Sequence, residues 1–335
     1  MKSMNKFIIG CDWGTSSFRL RLINIQSQEA ISEVVTPSGV AFIFNEWENT
    51  LPYTNRLTFF KNYLQTQLQK LSFQSDVALE GLSIVISGMA SSSIGMIDLH
   101  YADLPFDLSG QEIVVSYVAQ SDTFPHETWI VSGIKSDNDV MRGEETQLIG
   151  IAQLFPFSSH KKYVVLLPGT HSKHIFVEGN TLKHFQTYMT GELFSIVSSY
   201  SVLKDSIDKT SLHHPSPQDM AAFTLGVEAV ASTDILQLLF RVRTHQLFQK
   251  MTKTENAHYL SGIFIGGELK HLITINVDEL IIGCGRHLYP FYKTAIEALQ
   301  ITHKTTLIDP EKVDRATIMG QIKIFQNQAL TVGLL

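Results

Sequence analysis

The sequence predicts an α/β protein with two similar domains. Its 335 residues correspond to two domains at roughly 150 residues each, and 44% of them are apolar, enough for two buried cores. A strand, a Gly-Thr turn and a second strand occur at Gly14-Thr15 and again 155 residues later at Gly169-Thr170. We expect an N-terminal domain over residues 1–138 and a C-terminal domain over residues 139–335. The alternative is that two common turns coincide by chance.

Composition and charge exclude several classes of protein. Lys and Arg number 26 against 32 Asp and Glu, and the net charge of −6 disfavours nucleic acid and anionic membranes as partners. The only cysteines, Cys11 and Cys284, cannot form a disulfide framework. The apolar run at residues 7–9 is too short for a signal peptide, and none approaches a membrane span. We expect a cytoplasmic protein, with a homodimer left open.

The first half should begin with three strands, because β-branched and aromatic residues fill short runs between polar or glycine clusters. A helix follows in which Leu57, Phe60 and Leu64 start an apolar stripe at spacings of three and four. The predicted elements are strands over 7–11, 18–25 and 30–35, a helix over 55–71, a strand over 82–86, extended runs over 112–118 and 128–134, and a helix from Glu144.

The same pattern restarts after residues 157–160 and then becomes mainly helical. The predicted elements are strands over 163–167, 173–177 and 182–188, helices over 191–203, 218–240 and 257–272, a strand over 279–282, a helix over 288–299, a strand over 305–308 and a helix over 311–327.

Residues 12–19 (DWGTSSFR) have the composition of a phosphate-binding turn. Asp12 at a strand end can hold a hydrated Mg²⁺, and Arg19 can neutralise a phosphoryl group. An ordinary hairpin with a turn-forming Asp is the alternative. The backbone N–H groups that could approach phosphate are those of Gly14, Thr15 and Ser16.

Residues 166–173 (LLPGTHSK) form the second such turn, in which Leu167 stands where the first has Asp12. The loop keeps the amides and the hydroxyl without the acid, which suits the binding of nucleotide phosphates. His171 and His174 would point to opposite faces of a strand, so hydrogen-bonded histidines are favoured over a zinc site. The candidate phosphate ligands are Gly169, Thr170 and His171.

Residues 140–150 (VMRGEETQLIG) place Glu144 and Glu145 at the start of a predicted helix, where the helix dipole favours a carboxylate. Such a group could take a proton from an alcohol. Acids in a first helical turn are more often capping or solvated groups, and which of the two could act as a base stays open.

Residues 281–286 (IIGCGR) run from a buried strand into a turn, where Gly283 and Gly285 would let a flat ring approach the backbone. The third glycine of a dinucleotide fingerprint is missing, and the sequence contains no P-loop motif. Three further Gly- and hydroxyl-rich runs, at 87–93, 189–193 and 261–268, are predicted to be turns from loop to helix.

Taken in order, these motifs resemble the actin-like ATPase superfamily of sugar kinases, hexokinases and chaperone ATPases. Residues 12–19 resemble its first phosphate motif, Gly169-Thr170 the second, and residues 281–285 the adenosine motif. Residues 143–150 resemble the segment that carries the catalytic base, with Glu in place of the usual Asp. The resemblance implies two actin/hexokinase-like (ribonuclease H-like) domains around a central cleft, with ATP and Mg²⁺ as cofactors.

The runs at 140–150, 168–173 and 189–193 more closely resemble the 2-dehydro-3-deoxygalactonokinase family. The resemblance implies ATP-dependent phosphorylation of the 6-hydroxyl of 2-dehydro-3-deoxy-D-galactonate in galactonate or galactose breakdown. Alternatives are a kinase for another sugar or sugar acid, or an ATPase or sensor without a sugar acceptor. The implied catalytic residues are Glu144 as base, Asp12 with the metal and Arg19; Ser87, Gly88 and Arg142 are candidates for holding the sugar acid.

Overall fold

The structure is a computed structural model that describes residues 6–50 and 55–331. In chain order the strands are β1 (Phe7–Trp13), β2 (Phe18–Asn24), β3 (Glu29–Thr36), β4 (Ile84–Gly88), β5 (Phe106–Asp107), β6 (Val115–Val118), β7 (Thr128–Val131), β8 (Ile134–Lys135), β9 (Val140–Met141), β10 (Lys162–Leu167), β11 (Ser172–Glu178), β12 (Thr181–Tyr188), β13 (Glu279–Gly283) and β14 (Thr305–Ile308).

Within the described ranges, no helix is both long and apolar enough to cross a membrane. Short 3-10 helices cover Met89–Ser91, Lys204–Ser206, Lys270–Ile273 and Thr302–Lys304. The α-helices are α1 (Val40–Thr50), α2 (Arg56–Phe73), α3 (Glu144–Leu154), α4 (Thr190–Tyr200), α5 (Pro217–Ala229), α6 (Ile235–Leu247), α7 (Lys253–Leu269), α8 (Tyr289–Ala298) and α9 (Pro310–Thr331).

The two Gly-Thr turns belong to sheets of the same design. The first sheet has the strand order β3-β2-β1-β4-β7-β6, in which β1 is antiparallel to β2 and parallel to β4. In the second, the run β12-β11-β10-β13-β14 repeats the order of β3-β2-β1-β4-β7, and β10, β13 and β14 are parallel neighbours. The predicted α/β class and the predicted duplication are both confirmed by this topology.

The chain divides into two compact units whose limits differ from the predicted boundary between residues 138 and 139. Unit 1 is formed by described residues within Met1–Ser159, Glu178–His184 and Lys312–Leu335, and unit 2 by His160–Val177 and Phe185–Glu311. Most of α9 belongs to unit 1 because its side chains bond there. The Gln321 amide donates to the Cys11 carbonyl and to Ser87 Oγ, each at 3.0 Å. This return of the chain was not visible in the sequence.

Each unit has its own apolar core. In unit 1, α1 and α2 cover β1 and β2, and Trp13, Phe18 and Phe60 are fully buried there. In unit 2, α5, α7 and α8 pack against β10 and β13, with Phe223 and Tyr292 among the buried residues. These cores fix the strand ends from which the candidate functional loops emerge.

Most of the predicted strands and helices are present, and the clearest differences concern the helix predicted over 218–240 and helix α1. The helix predicted over 218–240 is two helices, because the chain leaves α5 after Ala229 and Asp234 adopts the extended N-cap conformation of α6. The run 261–268, interpreted above as a turn, lies inside α7 (Lys253–Leu269), in agreement with the helix predicted over 257–272. Helix α7 starts at a capping box formed by Thr252 and Glu255. Helix α1 was not predicted at all.

Candidate active site

The first Gly-Thr loop, residues 14–17, is fixed to the start of α1. The Gly14 N–H donates to the Ser17 carbonyl at 2.9 Å and closes the turn. The Gly14 carbonyl accepts from the Val40 N–H at 2.9 Å, and the next N–H of the helix donates to the Thr15 carbonyl at 3.1 Å. Thr15 and Ser16 remain exposed. The loop is therefore held by its carbonyls while these two residues face solvent.

Asp12 lies at the end of β1, directly before this loop, and is half-buried. Burial raises the pKa of Asp12, the positive charges of Arg21 and Arg19 lower it, and the negative charges of Glu144 and Asp314 raise it. Arg19 stands opposite Asp12 in the strand register, and its guanidinium lies 2.9 Å from Asp314 Oδ1. The predicted pair of Asp12 and Arg19 thus sits in a mixed group of acids and arginines within unit 1.

Two glycines with positive φ bring Asp12 and Glu144 into the same region of unit 1. Gly88 ends β4 with φ 92°, and Gly143 precedes α3 with φ 107°. A Cβ on Gly88 would lie 2.7 Å from the Trp13 carbonyl, and one on Gly143 would lie 3.3 Å from Gly88 Cα. Only glycine allows both this backbone conformation and this approach. Trp13, which follows Asp12, and Gly143, which precedes Glu144, consequently both pack against Gly88.

The adjacent acids Glu144 and Glu145 have different surroundings. Glu144 is half-buried, and its Oε2 accepts from the Arg142 N–H at 3.1 Å. Glu145 is only 1% exposed, and its carboxylate accepts from the Gly143 N–H at 2.6 Å and from the Thr146 hydroxyl at 2.9 Å. Burial, followed by the charge of Glu144, raises the pKa of Glu145 to about 7. Glu145 holds the start of α3, and Glu144 is the more accessible carboxylate.

Ser87 and Gly88, the predicted sugar-acid contacts on β4, are buried. The Ser87 hydroxyl donates to the Cys11 carbonyl at 3.4 Å and accepts from Gln321 at 3.0 Å. Because its hydroxyl is used inside unit 1 and Gly88 serves the backbone contact just described, neither residue presents a side chain to a ligand.

Arg142, the third predicted sugar-acid contact, ties down the loop that follows β4. Its guanidinium donates to Ser91 Oγ at 2.7 Å and to the Leu99 carbonyl at 3.0 Å, and it lies 4.0 Å from the centre of the Tyr101 ring. Its buried Nε–H has no hydrogen-bond partner among the described residues. Arg142 is therefore one donor short of satisfaction, in a place where an uncompensated donor is costly.

The second Gly-Thr loop, residues 169–171, is fixed to the start of α4 in unit 2. The Thr170 carbonyl accepts from the Glu192 N–H at 3.1 Å, and the His171 ring bonds to the Glu192 carboxylate. The Gly169 N–H donates to Ser172 Oγ at 3.3 Å. A Cβ on Gly169 would meet no atom within 4 Å. The loop is held by its contacts with Glu192 and Ser172, and the space above Gly169, where its Cβ would lie, is open.

An apolar pocket of about 210 Å³ lies beside this loop, wholly within unit 2. Gly169 forms part of its wall, together with Phe194, Phe264, Leu288 and Phe291. The sequence interpretation missed these four residues, since ordinary apolar residues within helical patterns carry no signal of a ligand site.

The predicted adenosine candidates lie at the start of the segment that leads to the pocket. Gly283 is buried at the end of β13, and Gly285 is exposed in the following turn. His287, two residues further on, lines the pocket, and burial followed by the charge of His213 lowers its pKa. Gly283 and Gly285 therefore lie just before the residues of this segment that line the pocket.

Among the described residues, no group of three or more His, Cys, Asp or Glu side chains is arranged to hold a metal ion. His171 is exposed beside Glu192, whereas His174 is buried against Glu268. Asp12 offers a single carboxylate at a loop. That donor set fits Mg²⁺, which is commonly held by one or two carboxylates and completes its shell with water and substrate phosphates.

The paired sheets and Gly-Thr loops define the class of protein, the actin-like ATPase superfamily, in its sugar-kinase branch. An activator of 2-hydroxyisocaproyl-CoA dehydratase from Clostridium difficile shares the fold, with a TM-score of 0.51 at 11% identity over 98% of this chain and 97% of the other.

Residues 12–324 match the family model described as DGOK, 2-keto-3-deoxy-galactonokinase, and the chain belongs to that family. It is 30% identical to a probable 2-dehydro-3-deoxygalactonokinase, DgoK1, of Rhizobium meliloti (strain 1021), over 91% of this chain and 93% of the relative. It is 29% identical to the 2-dehydro-3-deoxygalactonokinase of Escherichia coli (strain K12), over 66% and 72%. A Sinorhizobium meliloti crystal structure, provisionally given the same name, has a TM-score of 0.75 at 26% identity over 94% and 95%. The protein is therefore a phosphotransferase with an alcohol acceptor.

Proposed function

We propose that the protein transfers the γ-phosphate of ATP to the 6-hydroxyl of 2-dehydro-3-deoxy-D-galactonate. The family match carries this proposal, because it spans residues 12–324 and so includes both Gly-Thr loops and the start of α3. The close approach of Gly88 and Gly143 supports the proposal independently. It places Asp12, a carboxylate suited to binding a metal, in the same region of unit 1 as Glu144, a carboxylate suited to acting as a base.

ATP would bind to unit 2. The apolar pocket suits a purine ring, which needs flat apolar walls and few polar contacts. The N–H groups of Gly169, Thr170 and His171 would take the phosphates, and the open space above Gly169 supports this assignment. Gly283 and Gly285 would let the adenosine lie close to the backbone.

Asp12 would hold Mg²⁺ through its carboxylate, with Gly14, Thr15 and Ser16 beside the transferring group. Bound Mg²⁺ would neutralise charge that builds up on the phosphate oxygens. Arg19 would add positive charge near the transferring phosphate, and the ion pair with Asp314 would offset part of that charge. Burial and the nearby charge of Glu144 disfavour an ionised Asp12, and a cation at this position would relieve that cost.

Glu144 would act as the general base. As O6 of the sugar acid bonds to the γ-phosphorus, the bond from phosphorus to the bridging oxygen of ADP breaks, and the hydroxyl proton passes to Glu144. ADP and the 6-phosphate ester are the products. Glu145 is the alternative base, but its carboxylate is buried and already accepts two hydrogen bonds.

Arg142 would bind the carboxylate of the sugar acid. The half-buried guanidinium would attract this carboxylate through its positive charge, whereas its Nε–H is enclosed by the protein. This arrangement would leave the bonds of Arg142 to Ser91 and Leu99 in place.

Identification of the phosphorylated position tests the proposal. The protein is incubated with ATP, Mg²⁺ and 2-dehydro-3-deoxy-D-galactonate, and the product is examined by proton-coupled ³¹P NMR. We expect a monoester phosphorus that is coupled to the two protons of one CH₂ group, as at C6. We expect no ester from the 6-deoxy analogue. A phosphorus coupled to one proton, or an ester formed from the 6-deoxy analogue, would contradict the assignment.

A further inference from the structure

Glu268, near the end of α7, is a buried carboxylate on which three other elements of unit 2 converge. It is 3% exposed. His174 of β11 lies 3.1 Å from its Oε1, and the Tyr292 hydroxyl of α8 lies 3.1 and 3.0 Å from its two oxygens. The Thr190 hydroxyl, at the start of α4, donates to Oε2. A carboxylate removed from water in this way is costly unless every bond is made, so its position is tightly specified.

One route from Glu268 to the second Gly-Thr loop runs through hydroxyl groups. Tyr292 has a single hydroxyl proton and donates it to Glu268, so its oxygen accepts from Ser172 Oγ at 3.5 Å. Ser172 Oγ in turn accepts the Gly169 N–H at 3.3 Å. The bonds all point one way, from the loop backbone to the carboxylate.

A second route runs through the first turn of α4. Thr190 is held by Glu268, and the neighbouring Gly191 packs so closely that a Cβ on it would lie 2.7 Å from the Gly169 carbonyl. One residue further, the Glu192 N–H donates to the Thr170 carbonyl. Two separate chains of contacts therefore connect the second Gly-Thr loop to the carboxylate of Glu268.

We propose that Glu268 is a positioning residue for the phosphates of the bound nucleotide, which it aligns through Tyr292 and Thr190 without touching them. This inference rests on the proposed function, in which the second loop binds ATP. Amides aimed at a phosphate are effective only when they are held in place beforehand. Loss of Glu268 should consequently weaken binding of phosphate-bearing nucleotides and spare binding of the nucleoside.

Calorimetric titration of the full chain with ATP, ADP and adenosine tests the proposal. For Glu268→Gln we expect about tenfold weaker binding of ATP and ADP, the effect of roughly one charged hydrogen bond, and less than about twofold change for adenosine. The KM for ATP should rise by a similar factor while the KM for the sugar acid stays near the unaltered value. Asp219→Asn is the control, because Asp219 is equally buried at 3% but serves the capping box of α5.

Equal losses for ATP and adenosine, or unchanged ATP binding, would overturn the proposal. If Glu268→Gln does not fold, Tyr292→Phe decides, since it keeps the ring and removes one route; we expect about threefold weaker ATP binding, and no loss would count against the inference. Failure of the unaltered chain to bind ATP would overturn the proposed function together with this inference, whereas normal ATP binding by both variants would overturn the inference alone.

Discussion

The two Gly-Thr loops are alike in backbone and different in chemistry. In each, the threonine carbonyl accepts an N–H from the first turn of a later helix at 3.1 Å, from α1 for Thr15 and from α4 for Thr170. A glycine at the start of each helix, Gly39 and Gly191, is packed against the loop backbone so closely that a Cβ would collide with it. The contacts that hold the first loop against a helix are therefore repeated in the second loop, together with the strands on either side.

The charges around the loops have not been repeated. The first loop follows the half-buried carboxylate of Asp12, whereas Leu167, 4% exposed, occupies the corresponding position before the second. At the second loop the Glu192 carboxylate bonds to the His171 ring, and the buried carboxylate of Glu268 is linked to the loop through the hydroxyl groups of Tyr292 and Ser172. A repeated backbone with diverged charges is consistent with the proposed division, in which the first loop binds the metal and the second binds the nucleotide.

Removing the charge that distinguishes the first loop should have the largest effect. In Asp12→Asn we expect kcat to fall on the order of 10³-fold, because a charge partner of the transferring phosphoryl group is lost, while the fold persists. Steady-state kinetics with Mg²⁺ and circular dichroism measure both. Asp103→Asn, at an exposed ion pair with Lys135, is the control and should keep full turnover. Near-normal turnover of Asp12→Asn would make the two loops equivalent and refute the assignment.

The second prediction concerns the adjacent acids of α3. Glu144→Gln should lower kcat by about 10²–10⁴-fold, the usual contribution of a general base, with little change in the KM for ATP. Glu145→Gln should lose less activity because its carboxylate serves Gly143 and Thr146. Glu144→Asp, which retracts the carboxylate by one methylene, should fall between the unaltered chain and Glu144→Gln. A dead Glu145→Gln beside a fully active Glu144→Gln would transfer the role to Glu145.

Burial of Glu145 gives the stability of unit 1 a dependence on pH. Its folded-state pKa of about 7 exceeds the unfolded value of 4.5, so the folded chain binds the proton more tightly and loses stability as the pH rises between those values. From pH 5 to pH 8 we expect the free energy of unfolding of the unaltered chain to fall by about 2–3 kcal/mol relative to that of Glu145→Gln. Denaturant titrations of both chains at the two pH values measure it, and parallel behaviour would contradict the buried carboxylate.

Adding one methyl group to each loop gives the smallest and most local comparison. Gly169→Ala should bind ATP about tenfold more weakly, because its Cβ enters space that is open without a ligand and would meet the phosphates. The matched Gly14→Ala places its Cβ at an ordinary 3.4 Å from Ser17 Oγ and should change ATP affinity less. Calorimetry measures both dissociation constants, and an equal loss in the two variants would remove the proposed division of labour.

Local pattern was sufficient to predict the duplicated sheets, since each strand and each Gly-Thr turn is written in neighbouring residues. Helix α1 could not be predicted in the same way. Its first residues, 40–44 (VAFIF), have no helical periodicity, and its initial N–H groups are satisfied by carbonyls of Gly14 and Thr15, far back in the chain. The break between α5 and α6 depends on the cap at Asp234, which a continuous apolar pattern conceals.

The residues of the candidate site also fall into two groups, those that the local sequence suggests and those that only the three-dimensional contacts reveal. Asp12 and Glu144 could be proposed as candidates from the sequence because each is an acid close to a glycine within a motif that resembles those of sugar kinases. Glu268 could not, because its contacts come from His174, Thr190 and Tyr292, which are 94, 78 and 24 residues away in the chain. Ser87 looked equally promising in the sequence, but the distant Gln321 of α9 engages its hydroxyl. Residues defined by long-range contacts require the three-dimensional structure.

Acceptor-dependent release of ADP tests the central claim most directly. The full chain is assayed with ATP and Mg²⁺ in a coupled ADP assay, alone and with a panel of sugars and sugar acids that includes 2-dehydro-3-deoxy-D-galactonate and its C4 epimer. The account predicts ADP release that is negligible without an acceptor and fastest with 2-dehydro-3-deoxy-D-galactonate. ADP release at the same rate with and without every acceptor would contradict it.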